Sequence, residues 1–270
     1  MKSQYRMFIV FAAILLAVGM ACSVLSGQPT EAPTAAPLPT NPPPPPQPTS
    51  APVEQPTQQT IQLPTAETQP QNTQNQQFFT EEFDSPLSDA WSILTVTGSD
   101  SADPEKVTVD AQGGKLVWDF QSEYVYYYLF YEGTSYEDVK LEVQADNRGK
   151  NNNSVSLICR YDPEVGWYEF NIANNGLYNI LFAEITPSGS IGYNAIANGG
   201  SNAIKIGKDV NVYTISCSGD KLSLTINGED VNTFTERTYG LREGGIGVSV
   251  SSYNVLPILV EMESIKISAP

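Results

Sequence analysis

From Phe78 to Pro270, apolar and polar residues alternate in runs of four to nine positions separated by Gly, Asn, Asp or Pro breaks. Period-two alternation predicts half-buried β-strands, and no stretch sustains the 3.6-residue spacing of a helix. The runs include 115–120, 139–145, 155–161, 168–172, 177–185, 212–217, 222–227, 245–250 and 258–267, so more than a dozen strands are expected. In the last run Val260 and Met262 oppose Glu261 and Glu263, which makes one face of that strand acidic and wet. Many short strands without a helix or an internal repeat predict a two-sheet antiparallel sandwich over residues 78–270. Asn227-Gly228 between two alternating runs predicts a tight hairpin needing positive φ. Gly244, Gly245 and Gly247 fit close backbone approach at a bend, because no helix start or lysine follows as phosphate binding requires.

The pattern changes upstream. Fourteen of the 20 prolines fall between Gln28 and Gln77, in a Pro/Thr/Gln-rich stretch with three acids and no base. Such chain has little to bury and is expected to be a disordered spacer, reaching at most about 150 Å in the polyproline II conformation. Before it, Lys2 and Arg6 precede the apolar run Met7–Val18 and then Gly19-Met20-Ala21-Cys22. Charged, apolar and small-residue regions in that order predict an export signal over residues 1–21. The GMAC stretch resembles the lipobox of bacterial lipoproteins, which implies a diacylglyceryl group on Cys22 and a lipidated segment 22–77. It departs from that motif in carrying Gly19 where Leu is preferred. Residues 7–27 carry no charge, so an uncleaved membrane anchor stays open, as does free secretion. Each arrangement leaves residues 28–270 outside the cytoplasm. The expected place is the extracellular face of the cell envelope, with the lipid as membrane anchor.

Charge narrows the chemistry. The chain has 14 Lys plus Arg against 30 Asp plus Glu, and no histidine. Imidazole-based triads and imidazole zinc sites are excluded, and an acidic surface makes nucleic acid an unfavourable partner. No EF-hand spacing specifies calcium, and no cofactor is expected.

A series of short motifs gives a resemblance. Phe83-Asp84-Ser85-Pro86-Leu87-Ser88-Asp89-Ala90-Trp91, Gly113–Leu116, Leu157–Tyr161, Gly166–Phe170 and Asn175–Tyr178 precede Gly219–Gly228 and Gly244–Val248. In that order they resemble the concanavalin A-like lectin and glucanase superfamily, in particular its 3-keto-disaccharide hydrolase-like jelly rolls on bacterial surface lipoproteins. The resemblance implies a concanavalin A-like jelly roll, a carbohydrate or cell-envelope glycan as partner, and one structural calcium ion as the group such domains often carry. The superfamily holds lectins, glycosidases and adhesive modules alike.

Strand parity sorts the individual residues. Cys159 shares a face with Val155 and Leu157, and Cys217 with Tyr213 and Ile215, so both point inward and are expected to form a disulfide; two separate buried thiols are the alternative. In the run 124–131, Tyr124, Tyr126, Tyr128 and Phe130 face one way and Val125, Tyr127, Leu129 and Tyr131 the other. Tyr168, Phe170 and Ile172 share an apolar face, which leaves Trp167, Glu169 and Asn171 opposite, with Arg160 pointing away from Cys159. An outward Trp beside Arg, Glu and Asn is the composition of a sugar site, so Trp167, Glu169, Asn171 and Arg160, with Tyr127 as a neighbour, form the expected ligand site. The plain alternative is an outer face covered by the protein itself. Glycoside hydrolysis needs two carboxylates about 5 to 9.5 Å apart. Glu142, Glu169, Glu261 and Glu263 are available, but the E-x-D-x-x-E strand of the superfamily's glucanases is absent, and no residue is assigned as catalytic. The expected function is a surface lipoprotein displaying a carbohydrate-binding module, with a paired-carboxylate hydrolase or a structural, adhesive protein as alternatives.

Overall fold

A computed structural model of the chain describes residues 77–270, so the export segment, Cys22 and the spacer lie outside the described residues. Fifteen strands and one short 3-10 turn at Pro104–Lys106 make up the regular structure. The strands are β1 (Thr80–Glu81), β2 (Trp91–Thr97), β3 (Val107–Ala111), β4 (Leu116–Phe120), β5 (Val125–Tyr136), β6 (Val139–Asn147), β7 (Asn153–Asp162) and β8 (Gly166–Ala173). They continue as β9 (Leu177–Ile185), β10 (Ile191–Gly200), β11 (Val210–Ser218), β12 (Lys221–Ile226), β13 (Glu229–Thr235), β14 (Gly244–Ser252) and β15 (Ile258–Ser268).

All pairings are antiparallel. One sheet runs β13-β12-β11-β6-β15-β4-β3 with β1 beside β15; the other runs β10-β9-β8-β7-β14-β5-β2. Alternation explains how they stack. Leu141, Val143 and Ala145 of β6 face Leu157, Phe170 and Ile180 of the second sheet in one buried core, while Glu142, Gln144 and Asp146 stay on the outer side. Cys159 on β7 and Cys217 on β11 form a disulfide with their Cα atoms 6.6 Å apart, joining the two sheets through that core.

The turns follow their residues. Asn227 (φ 51) and Gly228 (φ 82) form the two-residue hairpin between β12 and β13, the positive-φ pair a type I′ turn needs. A Cβ on Gly247 would stand 2.7 Å from the Leu129 carbonyl oxygen, so a side chain there would part β14 from β5. In β15, Val260 and Met262 are buried while Glu261 and Glu263 face outward. A register shift between Met262 and Ile265 then returns Ile265 and Ile267 to the core.

Candidate functional site

The outer face of the seven-stranded sheet holds the chemistry. Its cross-strand register aligns Leu94, Tyr128, Ser249, Ser156, Asn171, Asn179 and Asn198 in one row through all seven strands. Asn179 and Asn198 are exposed, whereas Asn171, Ser156 and Ser249 are buried. The adjacent row carries Val96, Tyr126, Ser251, Ser154 and Ala173. Side chains in these rows bond to one another: Asn171 Nδ2 donates to Ser154 Oγ and Ser156 Oγ, each at 2.9 Å, and Ser154 Oγ lies 3.1 Å from Tyr253 Oη. The Oγ atoms of Ser249 and Ser251 are buried with no partner in the protein. An unpaired buried hydroxyl costs about 1 to 3 kcal/mol, so a water molecule or another polar group that bonded either of these two would be favoured.

Glu169 occupies the next row and is 2 % exposed. Its carboxylate accepts from Ser156 Oγ (2.7 Å), Trp167 Nε1 (3.1 Å) and Tyr128 Oη (3.3 Å). Burial pushes its pKa above the usual carboxylate range, and the donated hydrogen bonds from Ser156, Trp167 and Tyr128 offset only part of that. Above it, Tyr128 Oη meets Tyr193 Oη at 2.8 Å. Tyr128 is on β5 and Tyr193 on β10, five strand steps apart. A flat sheet would separate them by about 24 Å, whereas two tyrosines end to end span roughly 13 Å. The sheet therefore curves toward this side, and the face is concave.

Curvature also explains the position of Trp167. The sequence places it outside the inter-sheet core, and so it is, yet it is fully buried. With Tyr128, Phe130, Ile158 and Ala183 it forms a second apolar cluster on the concave side. Phe130 stacks on Tyr161 with centroids 3.7 Å apart, and Trp167 meets Phe130 and Tyr128 edge-on at 5.1 and 5.4 Å. The expectation of an exposed stacking ring is corrected: the protein's own aromatic residues cover Trp167. Glu169 and Asn171 do share its face. Tyr127 does not, because it points into the inter-sheet core and meets Trp118 edge-on at 6.1 Å; the concave set is Tyr126, Tyr128 and Phe130. Arg160 does not either. It has φ 55 at a bulge between Cys159 and Asp162, which breaks the alternation. Its guanidinium instead donates to the carbonyls of Gly219 (2.7 Å), Leu241 (2.9 Å) and Glu137 (3.2 Å), clamping three loops at one end of the sandwich. Burial lowers its pKa, and nearby Arg242 adds to that.

Beside this clamp lies a second buried carboxylate, Glu236, 3 % exposed. It accepts from the Tyr168 hydroxyl and from the backbone N–H groups of Thr238 (2.5 Å) and Tyr239 (2.8 Å), with Arg242 Nη1 at 3.6 Å. Burial alone would raise its pKa; the Tyr168 hydroxyl and the amides of Tyr239, Thr238 and Gly240 together outweigh that and hold it below the usual range. Among the described residues, no group of three or more His, Cys, Asp or Glu is placed to hold a metal ion.

Sequence reasoning missed the tyrosines 126, 128, 193 and 253 and the serines 154, 156, 249 and 251. A signal was present: in VSVSS and SVSLIC, serines 249, 251, 154 and 156 fill neighbouring outward positions of two central strands, where large or charged residues are usual on an open face.

Comparison with known proteins bears on the fold. A Bacteroides ovatus GH16 protein from a mixed-linkage glucan locus, solved with a G4G4G3G product, superposes with a TM-score of 0.51 at 14 % identity, covering 70 % of this chain and 99 % of its own. The Bacillus licheniformis β-glucanase gives 0.51 at 13 % identity, covering 72 % and 98 %. At such identity these likenesses establish the jelly-roll architecture and nothing about activity. No curated protein sequence matches. Residues 79–266 match the family described as the 3-keto-alpha-glucoside-1,2-lyase-like domain, and over that span, most of the described chain, the protein belongs to this family.

Proposed function

We propose that the concave face binds a neutral carbohydrate chain laid across the strands, in a module displayed at the cell surface. The observation that carries this reading is the cross-strand row in which exposed Asn198 and Asn179 lead inward to Asn171 and Ser156 and to the unpartnered hydroxyl of Ser249. Hydroxyl and amide groups in a line from strand to strand offer donors and acceptors to sugar hydroxyls, and the half-buried rings of Tyr126 and Tyr253 offer apolar surface beside them. No cation lies in the row, and a chain with formal net charge −16 repels polyanions, which favours an uncharged glycan. Display rests on the sequence of the first 77 residues: an export signal, lipid on Cys22 and a spacer. A glycan array probed with the full chain tests the binding half, with Asn171→Ala expected to lose at least tenfold in affinity; silence toward every neutral glycan would favour a structural role. Mass spectrometry of membrane-extracted protein tests the other half by the diacylated mass at Cys22.

A second reading has one observation behind it. The family description names a lyase of 3-keto-α-glucosides, and elimination across C1–C2 needs a base for the acidic C2 proton: the C2–H electrons form the C1=C2 double bond, and the C1–oxygen bond breaks with its electron pair going to the leaving oxygen, which takes up a proton and departs as an alcohol. Glu169, with its raised pKa, is the concave face's suitable group. Turnover of a 3-keto-α-glucoside that Glu169→Gln abolishes would establish this reading over simple binding.

A further inference from the structure

The geometry points to Tyr193 as a gate: its ring closes the concave centre by bonding Tyr128, and a sugar entering the site replaces that bond once Tyr193 swings outward. The inference rests on the carbohydrate reading and concerns how the site is reached.

Three observations carry it. First, the bond joins opposite flanks of the sheet, so a single 2.8 Å contact between two hydroxyls spans the concavity. Second, the two partners are unequal. Tyr128 is fully buried in the aromatic cluster on a strand paired on both sides, whereas Tyr193 is 40 % exposed on β10, an edge strand of the sheet. Rotation of Tyr193 disturbs no strand pairing, and Gly192 precedes it. Third, polar capacity lies behind it. Glu169 binds Tyr128 directly, and the next row carries the unpartnered Ser249 hydroxyl. Burial and the neighbouring Glu169 carboxylate both push the Tyr193 pKa up, as expected for a phenol lodged over an acid. A sugar hydroxyl can donate to Glu169 and accept from Tyr128, so an incoming ligand offers what Tyr193 gives up.

The gate has a kinetic consequence. Where the competent state is a minor one, at about 0.1 to 10 % of the population, apparent affinity is reduced by that fraction. Opening the gate permanently is therefore expected to raise the association rate about tenfold or more.

The experiment labels carboxyl groups of the folded full chain with a water-soluble carbodiimide and an amine, and quantifies modified peptides by mass spectrometry in the natural protein, Tyr193→Phe and Tyr193→Ala. Glu236, whose partners are Tyr168, Thr238, Tyr239 and Arg242 and do not include Tyr193, is the internal control, and increased labelling at both glutamates would show unfolding rather than gating and would overturn the inference. The expected order of Glu169 labelling is Tyr193→Ala, then Tyr193→Phe, then the natural protein, with Glu236 unchanged throughout. Equal protection of Glu169 in all three overturns the gate. The same proteins are then titrated with neutral gluco-oligosaccharides. Faster association by Tyr193→Ala supports the gate as a sugar entrance; graded labelling with no oligosaccharide bound by any of the three overturns the carbohydrate reading while leaving the opening motion shown.

Discussion

Glu169 and Glu236 are both almost fully buried, at 2 % and 3 % exposure, and their pKa values move in opposite directions. Glu236 meets backbone N–H groups fixed by its own loop, the Tyr168 hydroxyl and a nearby guanidinium. Each of the N–H groups can only donate, and they favour the anion. Glu169 meets two hydroxyls and an indole N–H under a roof of tyrosines, and no cation stands in its rows. Hydroxyls can turn and accept from a protonated acid, so its environment tolerates the neutral form. The contrast separates a carboxylate that fastens a loop from one held in reserve behind a removable cover.

The largest expected effect is on the packing that shields Glu169. Trp167→Ala removes the centre of the concave cluster and is expected to cost about 3 to 5 kcal/mol in urea unfolding; a loss under about 1 kcal/mol would mean that this face is open in solution. Glu236→Ala is expected to cost about 3 kcal/mol, because Tyr168 and two amides lose their acceptor inside the protein. The Glu169→Gln and Glu236→Gln pair should separate by pH. A raised folded pKa gives stability that is full below the unfolded carboxylate range and declines as pH rises toward the folded value. Glu169→Gln should remove that decline, worth about 1.4 kcal/mol for each tenfold difference in proton affinity between the folded and unfolded chain. A lowered folded pKa gives stability that is full above the unfolded range and is lost as pH falls through the folded value, so Glu236→Gln should flatten the acid limb instead. Thermal melts of both variants from about pH 3 to 8 measure this, and parallel profiles would erase the distinction. The smallest effect is Tyr193→Phe, expected to cost about 0.5 to 1.5 kcal/mol for one hydrogen bond.

Much of this was legible in the chain. Parity along β7, β8 and β11 gave the inward cysteines and the shared face of Trp167, Glu169 and Asn171, because pairing in those strands is regular over those residues. It failed at Arg160, where one bulge residue in the left-handed region turns a side chain through the sheet's end, and bulges leave little mark in alternation. It failed differently at Tyr127. Both faces of β5 are aromatic, so alternation defined two sets without saying which was core. The cover over Trp167 was beyond reach, since it depends on curvature that brings β5 and β10 together across four intervening strand positions. Glu236 was overlooked because its partners are mostly backbone amides of its own loop, Glu-Arg-Thr-Tyr, which hydropathy does not register.

The bond between Cys159 and Cys217 has a mechanical side. With a sequence separation of 58 between its ends, it encloses β8, β9, β10 and most of β11, together with Tyr193 and the three asparagines Asn171, Asn179 and Asn198. Pulled by its two termini, the chain could peel β15, β1 and their neighbours while this loop stayed closed, withholding about 200 Å of contour length from extension. In a single-molecule trace the oxidised protein would lengthen by that much less than the reduced one. The bond contributes about 4 kcal/mol at rest in the chain-entropy account; under load it confines tension to the strands outside the loop, so the segment carrying Asn171, Asn179 and Asn198 is not drawn straight while the bond is intact.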